Sequence, residues 1–186
     1  MVAIVLAVSI TGCVPTAPEE PIRGPVVSDE EVLPWAKEEP VFVVARVSCR
    51  TLDVYMHGTR VRTYDAVFGM GGVGKKYQGD RRTPLGLYSI THKYPHDRWG
   101  HFLLLDYPNA ADALRYGEAL ATNGVPDDGN GGPVGIGSAI GIHGTDKPDD
   151  NARGIDWTFG CISVENYAID ALVRLLPVGT PVLIQE

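Results

Sequence analysis

The chain has 186 residues, 44% of them hydrophobic and 21% charged, with 22 glycines and 14 prolines, which suits one packed domain with loops and excludes two large ones. Sixteen basic against twenty-three acidic side chains give a formal charge of −7, a balance that repels a phosphate polyanion and argues against nucleic acid as a partner. No run of eighteen apolar residues occurs, and three cysteines, Cys13, Cys49 and Cys161, are too few for a disulfide scaffold, so a hydrophobic core must hold the fold.

Residues Val2 to Ile10 are apolar except for Ser9 and lead into Thr11-Gly12-Cys13. A short apolar stretch closed by small residues before a cysteine resembles a bacterial lipoprotein signal, although no positive charge precedes it. On that resemblance residues 1–12 are a signal peptide, Cys13 is lipidated, and Val14 in place of aspartate points to the periplasmic face of the outer membrane. The competing reading makes Val2 to Val8 a buried strand and Cys13 an ordinary thiol. Pro15 to Pro40 holds six prolines, seven acids and two basic residues, too few apolar groups to fold alone. Residues 13–40 therefore read as a tether, with a fully extended reach on the order of 80 Å. Most of the net charge sits there, leaving 41–186 as one domain.

Within the domain, Val41 to Cys49, Thr51 to Met56 and Thr59 to Phe68 read as a β-meander, with His57-Gly58 as a turn. Gly69-Met-Gly-Gly-Val-Gly74-Lys75-Lys76 then approaches a phosphate-cradling loop. Lys76 replaces the required hydroxyl and no helix follows, so the segment reads instead as a loop with glycines at positive φ. Leu85 to Ile90 and Phe102 to Asp106 are further strands, and Asn109 is placed to cap a helix from Ala110 to about Ala121. Ala139 to Ile142 and Cys161 to Val164 are short strands. Asn166 is expected to cap a second helix carrying Ala168, Ile169, Leu172, Val173 and Leu176 on one face, before a closing strand, Pro181 to Ile184.

The chemistry concentrates in Ile142-His143-Gly144-Thr145 and Asp156-Trp157-Thr158-Phe159-Gly160-Cys161. His143 and Cys161 end two expected strands. Adjacent strands would pair a thiol nucleophile with a base, and a neighbouring imidazolium would lower the thiol pKa. Gly160 would let an acyl group approach the Gly160 and Cys161 amides as an oxyanion hole. Three other readings stand beside this one. One has Cys161 simply pack, as buried cysteines usually do; one bonds it to Cys49, since an exported chain meets oxidising conditions; one puts it in a metal site, for which no third ligand has regular spacing.

These residues resemble the L,D-transpeptidase catalytic domain family, the YkuD type, whose signature runs from a His-Gly pair to a Ser-His-Gly-Cys segment. The resemblance covers Val41 to Glu186 and includes Leu52-Asp-Val-Tyr55, Gly79-Asp-Arg-Arg-Thr-Pro-Leu-Gly86, Gly141-Ile-His-Gly144, Gly160-Cys-Ile162 and Gly179-Thr-Pro-Val182. It implies a mainly β fold with short helices, a mixed β-sandwich in a single domain. It also implies Cys161 as nucleophile, His143 as base, and Gly144 holding the imidazole through its carbonyl. Thr145, Trp157, Thr158, Phe159 and Ser163 are the expected substrate contacts. Two positions depart from the signature: Phe159 stands for histidine and Ser163 for a common arginine, which removes a donor and a carboxylate partner. The implied substrates are peptidoglycan stem peptides, joined 3→3 or to a wall-anchored lipoprotein, with no cofactor and no metal. A hydrolase cutting such bonds, or a non-catalytic wall-binding lipoprotein, are the alternatives.

Overall fold

A computed structural model describes residues 39–186, so the signal, tether and Cys13 readings lie outside the described residues. Eight strands follow in order: β1 (Val41–Arg46), β2 (Thr51–Met56), β3 (Thr59–Val67), β4 (Gly86–His96), β5 (Gly100–Leu105), β6 (Gly141–His143), β7 (Ile162–Val164) and β8 (Pro181–Gln185). Three helices join them: α1 (Ala110–Ala121), α2 (Pro148–Ala152) and α3 (Asn166–Leu175). The expected meander is present, β1, β2 and β3 pairing antiparallel in turn.

The expected sandwich closes into a barrel, in the order β1-β2-β3-β7-β6-β5-β4-β8, with β8 returning to β1. Two long strands close it. The first part of β3 pairs with β2, and its end at Ala66 and Val67 pairs with β7. Likewise β4 pairs with β8 through Ser89 and then with β5 from Ile90, with a register break between Ile90 and His92. A bulge adds bend and twist to a strand, which lets one strand serve both sheets. Alternation fills the interior: Val43, Ala45, Leu52, Val54, Leu103, Leu105, Ile142, Ile162 and Val164 share one cluster with Ala168, Ile169 and Leu172 of α3.

Two helix starts differ in their chemistry. Asn109 caps α1 as expected, accepting from the Ala111 and Asp112 amides while Asp112 returns a bond to the Asn109 amide. For α3 the N-cap is Glu165 instead, which makes no side-chain cap. Asn166 turns away, its Oδ1 accepting from the Thr145 amide at 2.8 Å and its Nδ2 donating to the Thr145 carbonyl at 3.1 Å. Those bonds fasten the start of α3 to the loop after His143. The short helix α2 has no sequence-level counterpart, because its five residues are too few to show a period.

Candidate active site

Strands β6 and β7 run parallel, with Ile142 opposite Ile162 and His143 opposite Ser163. Extending that register by one residue sets Cys161 opposite Gly141, on the sheet face that His143 and Ser163 share. The neighbouring isoleucines point into the barrel, so His143 and Cys161 face away from its core. Strand β5 adds Phe102, opposite His143 in the antiparallel register.

His143 is 1% exposed. Its Nδ1 lies 2.6 Å from the Gly144 carbonyl. A carbonyl only accepts, so Nδ1 carries the proton and Nε2 keeps its lone pair, the tautomer a general base requires. Trp99 stacks on the imidazole with ring centroids 4.1 Å apart, His96 stacks on Trp99 at 4.3 Å, and Phe102 lies 5.7 Å from His143. Burial lowers the His143 pKa to about 4; the Gly144 bond pulls the other way and His96 pushes it further down. The imidazole is therefore neutral at pH 7.

Gly144 is the hinge of this arrangement. A Cβ there would meet Asn166 Oδ1 and the Trp99 carbonyl, each at 2.4 Å. Its carbonyl takes a second bond from the Ser163 hydroxyl at 3.1 Å. Behind it, Asn151 Nδ2 donates to Ser163 Oγ at 3.2 Å, and Trp157 Nε1 donates to Asn151 Oδ1 at 2.8 Å. Ser163 is fully buried, and its hydroxyl bonds the carbonyl that orients His143.

Cys161 is a free thiol, which overturns the Cys49 to Cys161 disulfide reading. Its Sγ donates to the Ala139 carbonyl at 3.5 Å. Burial pushes the thiol up to about 11, against the pull of the Gly141 amide and the Lys75 charge. Both shifts favour the neutral forms at pH 7, where the sequence reading expects an imidazolium beside a thiolate. Desolvation by burial is the largest cause of both shifts.

The turn before Cys161 is shaped by Thr158, which is buried and not a surface contact. Its hydroxyl donates to the Cys161 carbonyl at 2.7 Å and accepts from the Gly160 amide at 3.2 Å. One of the two expected oxyanion donors, the Gly160 amide, is therefore already engaged. Gly160 has φ +127°, and a Cβ there would lie 2.6 Å from the Arg82 carbonyl. Thr145 is also buried, its hydroxyl accepting from the Lys147 amide at 2.8 Å to shape the turn into α2. Trp157 stands edge-on to His143 at 5.7 Å with Lys147 Nζ 5.1 Å over its ring. Phe159 is 70% exposed.

In the glycine-rich loop after β3, Gly72 and Gly74 have positive φ, as expected, whereas Gly69 and Gly71 do not; a Cβ on either would meet the backbone of Asp80 to Thr83. The Met70 amide donates to the Thr158 carbonyl at 3.0 Å. Lys75 lies buried with Nζ 2.8 Å from Asp80 Oδ1. Burial alone would raise the Asp80 pKa, but the Lys75 bond and the amides of Lys76, Arg82 and Tyr77 hold it below the usual carboxylate range. Sequence reasoning missed Asn151, His96 and Trp99. Only the fold brings them to His143, although the aromatic spacing His96, Trp99, Phe102 was visible.

Among the described residues no group of three or more His, Cys, Asp or Glu side chains is disposed to hold a metal ion. The sequence profile of the L,D-transpeptidase catalytic domain, YkuD, matches residues 39–184. No curated protein matches the chain. Among solved structures, the L,D-transpeptidase of Xylanimonas cellulosilytica is 18% identical with a TM-score of 0.50, over 78% of this chain and 60% of that one. Bd1075 of Bdellovibrio bacteriovorus is 21% identical with a TM-score of 0.53, over 86% and 51%. The helical cell shape determining protein Pgp2 of Campylobacter jejuni is 19% identical with a TM-score of 0.53, over 78% and 47%. The chain thus spans about half to three-fifths of the length of these structures, and at these identities they bear on the fold alone.

Proposed function

Because the chain belongs to the L,D-transpeptidase catalytic-domain family, we propose that it transfers the acyl group of a peptidoglycan stem peptide through a thioester on Cys161. The observation that supports this reading most strongly is the His143 tautomer: Nδ1–H is committed to the Gly144 carbonyl, leaving Nε2 as base on the face Cys161 shares. As substrate enters, the Cys161 thiol leaves the Ala139 carbonyl and gives its proton to Nε2 as sulfur attacks the amide after the third, meso-diaminopimelyl residue. Starting from a neutral pair, proton transfer accompanies attack and no standing thiolate is needed. The Cys161 amide donates to the developing oxyanion. His143 then passes its proton to the departing D-residue amine.

An acceptor amine resolves the thioester, giving a 3→3 cross-link or a bond to a wall-anchored lipoprotein. Full-length chain incubated with isolated peptidoglycan, with Cys161→Ala as control, tests this through the masses of digested muropeptides. New Cys161-dependent 3→3 dimers support the transfer; Cys161-dependent loss of cross-links or lipoprotein remnants makes it a hydrolase, and no difference from the control rejects catalysis. The same proposal places the chain at the periplasmic face of the outer membrane through a lipid on Cys13, supported by the apolar run ending at Thr11-Gly12. It requires membrane partitioning that Cys13→Ala loses; wild type recovered unmodified in the soluble fraction would refute it.

A further inference from the structure

The Gly79-Asp80-Arg81-Arg82-Thr83-Pro84 turn abuts the nucleophile turn so closely that the Arg82 carbonyl occupies the space a Gly160 Cβ would need. At its apex Arg81 adopts φ +58°, a left-handed conformation that favours glycine. A side chain kept at a strained position beside a nucleophile is a reason to ask what that side chain does. The turn is fixed around it: the Arg81 carbonyl accepts from the Gly71 amide at 2.8 Å, and Asp80 holds the Arg82 amide at 3.0 Å.

Among the described residues the guanidinium itself has no acidic partner. Arg50, Arg98, Arg115 and Arg153 each bridge to an aspartate. Among the described residues Arg81 meets only apolar and sulfur surface, its Cζ 5.3 Å over the Phe159 ring and its Nη1 3.6 Å from Met70 Sδ. Arg82, next to it, is turned back to the Val73 carbonyl at 3.3 Å. Phe159 and Met70 are 70% and 48% exposed, so this lip opens to solvent. It begins two residues from Cys161, on the order of 7 Å along an extended backbone. An arginine laid on an aromatic face keeps its planar fork of donors at the edge, the geometry that grips a carboxylate with two bonds.

We propose that Arg81, braced on Phe159, is a carboxylate subsite that receives a free carboxylate of the stem peptide within one residue of the scissile amide. Ser163, buried under Gly144, leaves that role open. The inference rests on the acyl-transfer reading for its ligand but makes a separate claim about binding. Two carboxylates have this chemistry, the C-terminal one and the one on the diaminopimelyl side chain.

The test titrates full-length Cys161→Ala chain with three peptides: the stem tetrapeptide, its C-terminal amide, and the tetrapeptide amidated on the diaminopimelyl side chain. One amidation weakens binding about tenfold and identifies which carboxylate is held, while Arg81→Gln binds all three alike. Arg81→Gly also loses the discrimination but melts higher than its parent, because glycine relieves the backbone. Equal binding of the three peptides, no binding of any, or discrimination that survives Arg81→Gln overturns the subsite. Wild-type turnover, measured in parallel, separates the two readings. If the wild type converts no peptide while Arg81-dependent discrimination persists, acyl transfer fails and the subsite stands.

Discussion

A thiol held on its proton and an imidazole kept off one define the chemistry at the scale of single residues. With burial lifting Cys161 to about 11, iodoacetamide alkylation of the free enzyme should keep accelerating beyond pH 9. A rate that levels off below pH 8 would instead reveal a thiolate already present at rest. Gly160 is the other strict residue. With φ +127° and the Arg82 carbonyl 2.6 Å from any added Cβ, Gly160→Ala forces the turn before Cys161 to shift. It should cost roughly 1–3 kcal/mol in chemical denaturation and abolish turnover, since Cys161 moves with the turn. Wild-type stability together with wild-type turnover would show that the turn yields.

The elements decide which residues meet. The β4–β5 tip sets Trp99 over His143, and the Trp99 carbonyl takes the Gly144 amide at 3.2 Å, so one tryptophan both shields the ring and holds its hinge. Trp99→Leu opens the imidazole to water and lets its pKa climb back toward the ordinary value. Since the base must be neutral, the acid limb of the kcat/KM profile should move up by about one pH unit or more. An unmoved limb would assign the low pKa to other neighbours. In the glycine-rich loop, Asp80→Ala strands a buried ammonium, Lys75 being 4% exposed at its side chain. The loss should approach 3–5 kcal/mol by denaturation. A loss under about 1 kcal/mol would mean that the Tyr77 carbonyl suffices for Lys75.

At this scale the limits of sequence become physical. The strands, α1 with its Asn109 cap and the His143 and Cys161 positions were legible because local periodicity and short motifs encode them. Asn166 looked like a helix cap for good reason, but it found better partners in Thr145, more than twenty positions away. Ser163, Thr145 and Thr158 were expected to touch substrate. They are buried, each bonded to backbone: Ser163 to the Gly144 carbonyl, Thr145 to the Lys147 amide and Thr158 to the Cys161 carbonyl. Closure of the barrel depends on bends in β3 and β4, and no local pattern announces them.

For the whole molecule, the buried neutral His143 ties stability to pH. In the unfolded chain its imidazole takes a proton near pH 6.5, whereas in the folded one it resists until about 4. Stability is then full above about pH 6.5 and falls as pH drops toward 4, by roughly 3 kcal/mol. Urea denaturation of wild type and His143→Gln across this range checks the sign. The difference between them should shrink as the pH falls, and a constant difference would contradict it. The barrel also explains how so short a chain holds the pair. Two three-residue strands position both groups, β6 ending on His143 and β7 beginning directly after Cys161, and the longer strands around them keep their register.

The central claim, that Cys161 takes an acyl group from a stem peptide, is tested most directly by intact-protein mass spectrometry of the full chain mixed rapidly with the stem tetrapeptide. A species heavier by the tripeptide acyl group should form, mapped to Cys161 by digestion, absent from Cys161→Ala and formed far more slowly by His143→Gln. Release of the terminal D-residue without any adduct on Cys161, at a rate Cys161→Ala retains, would contradict it.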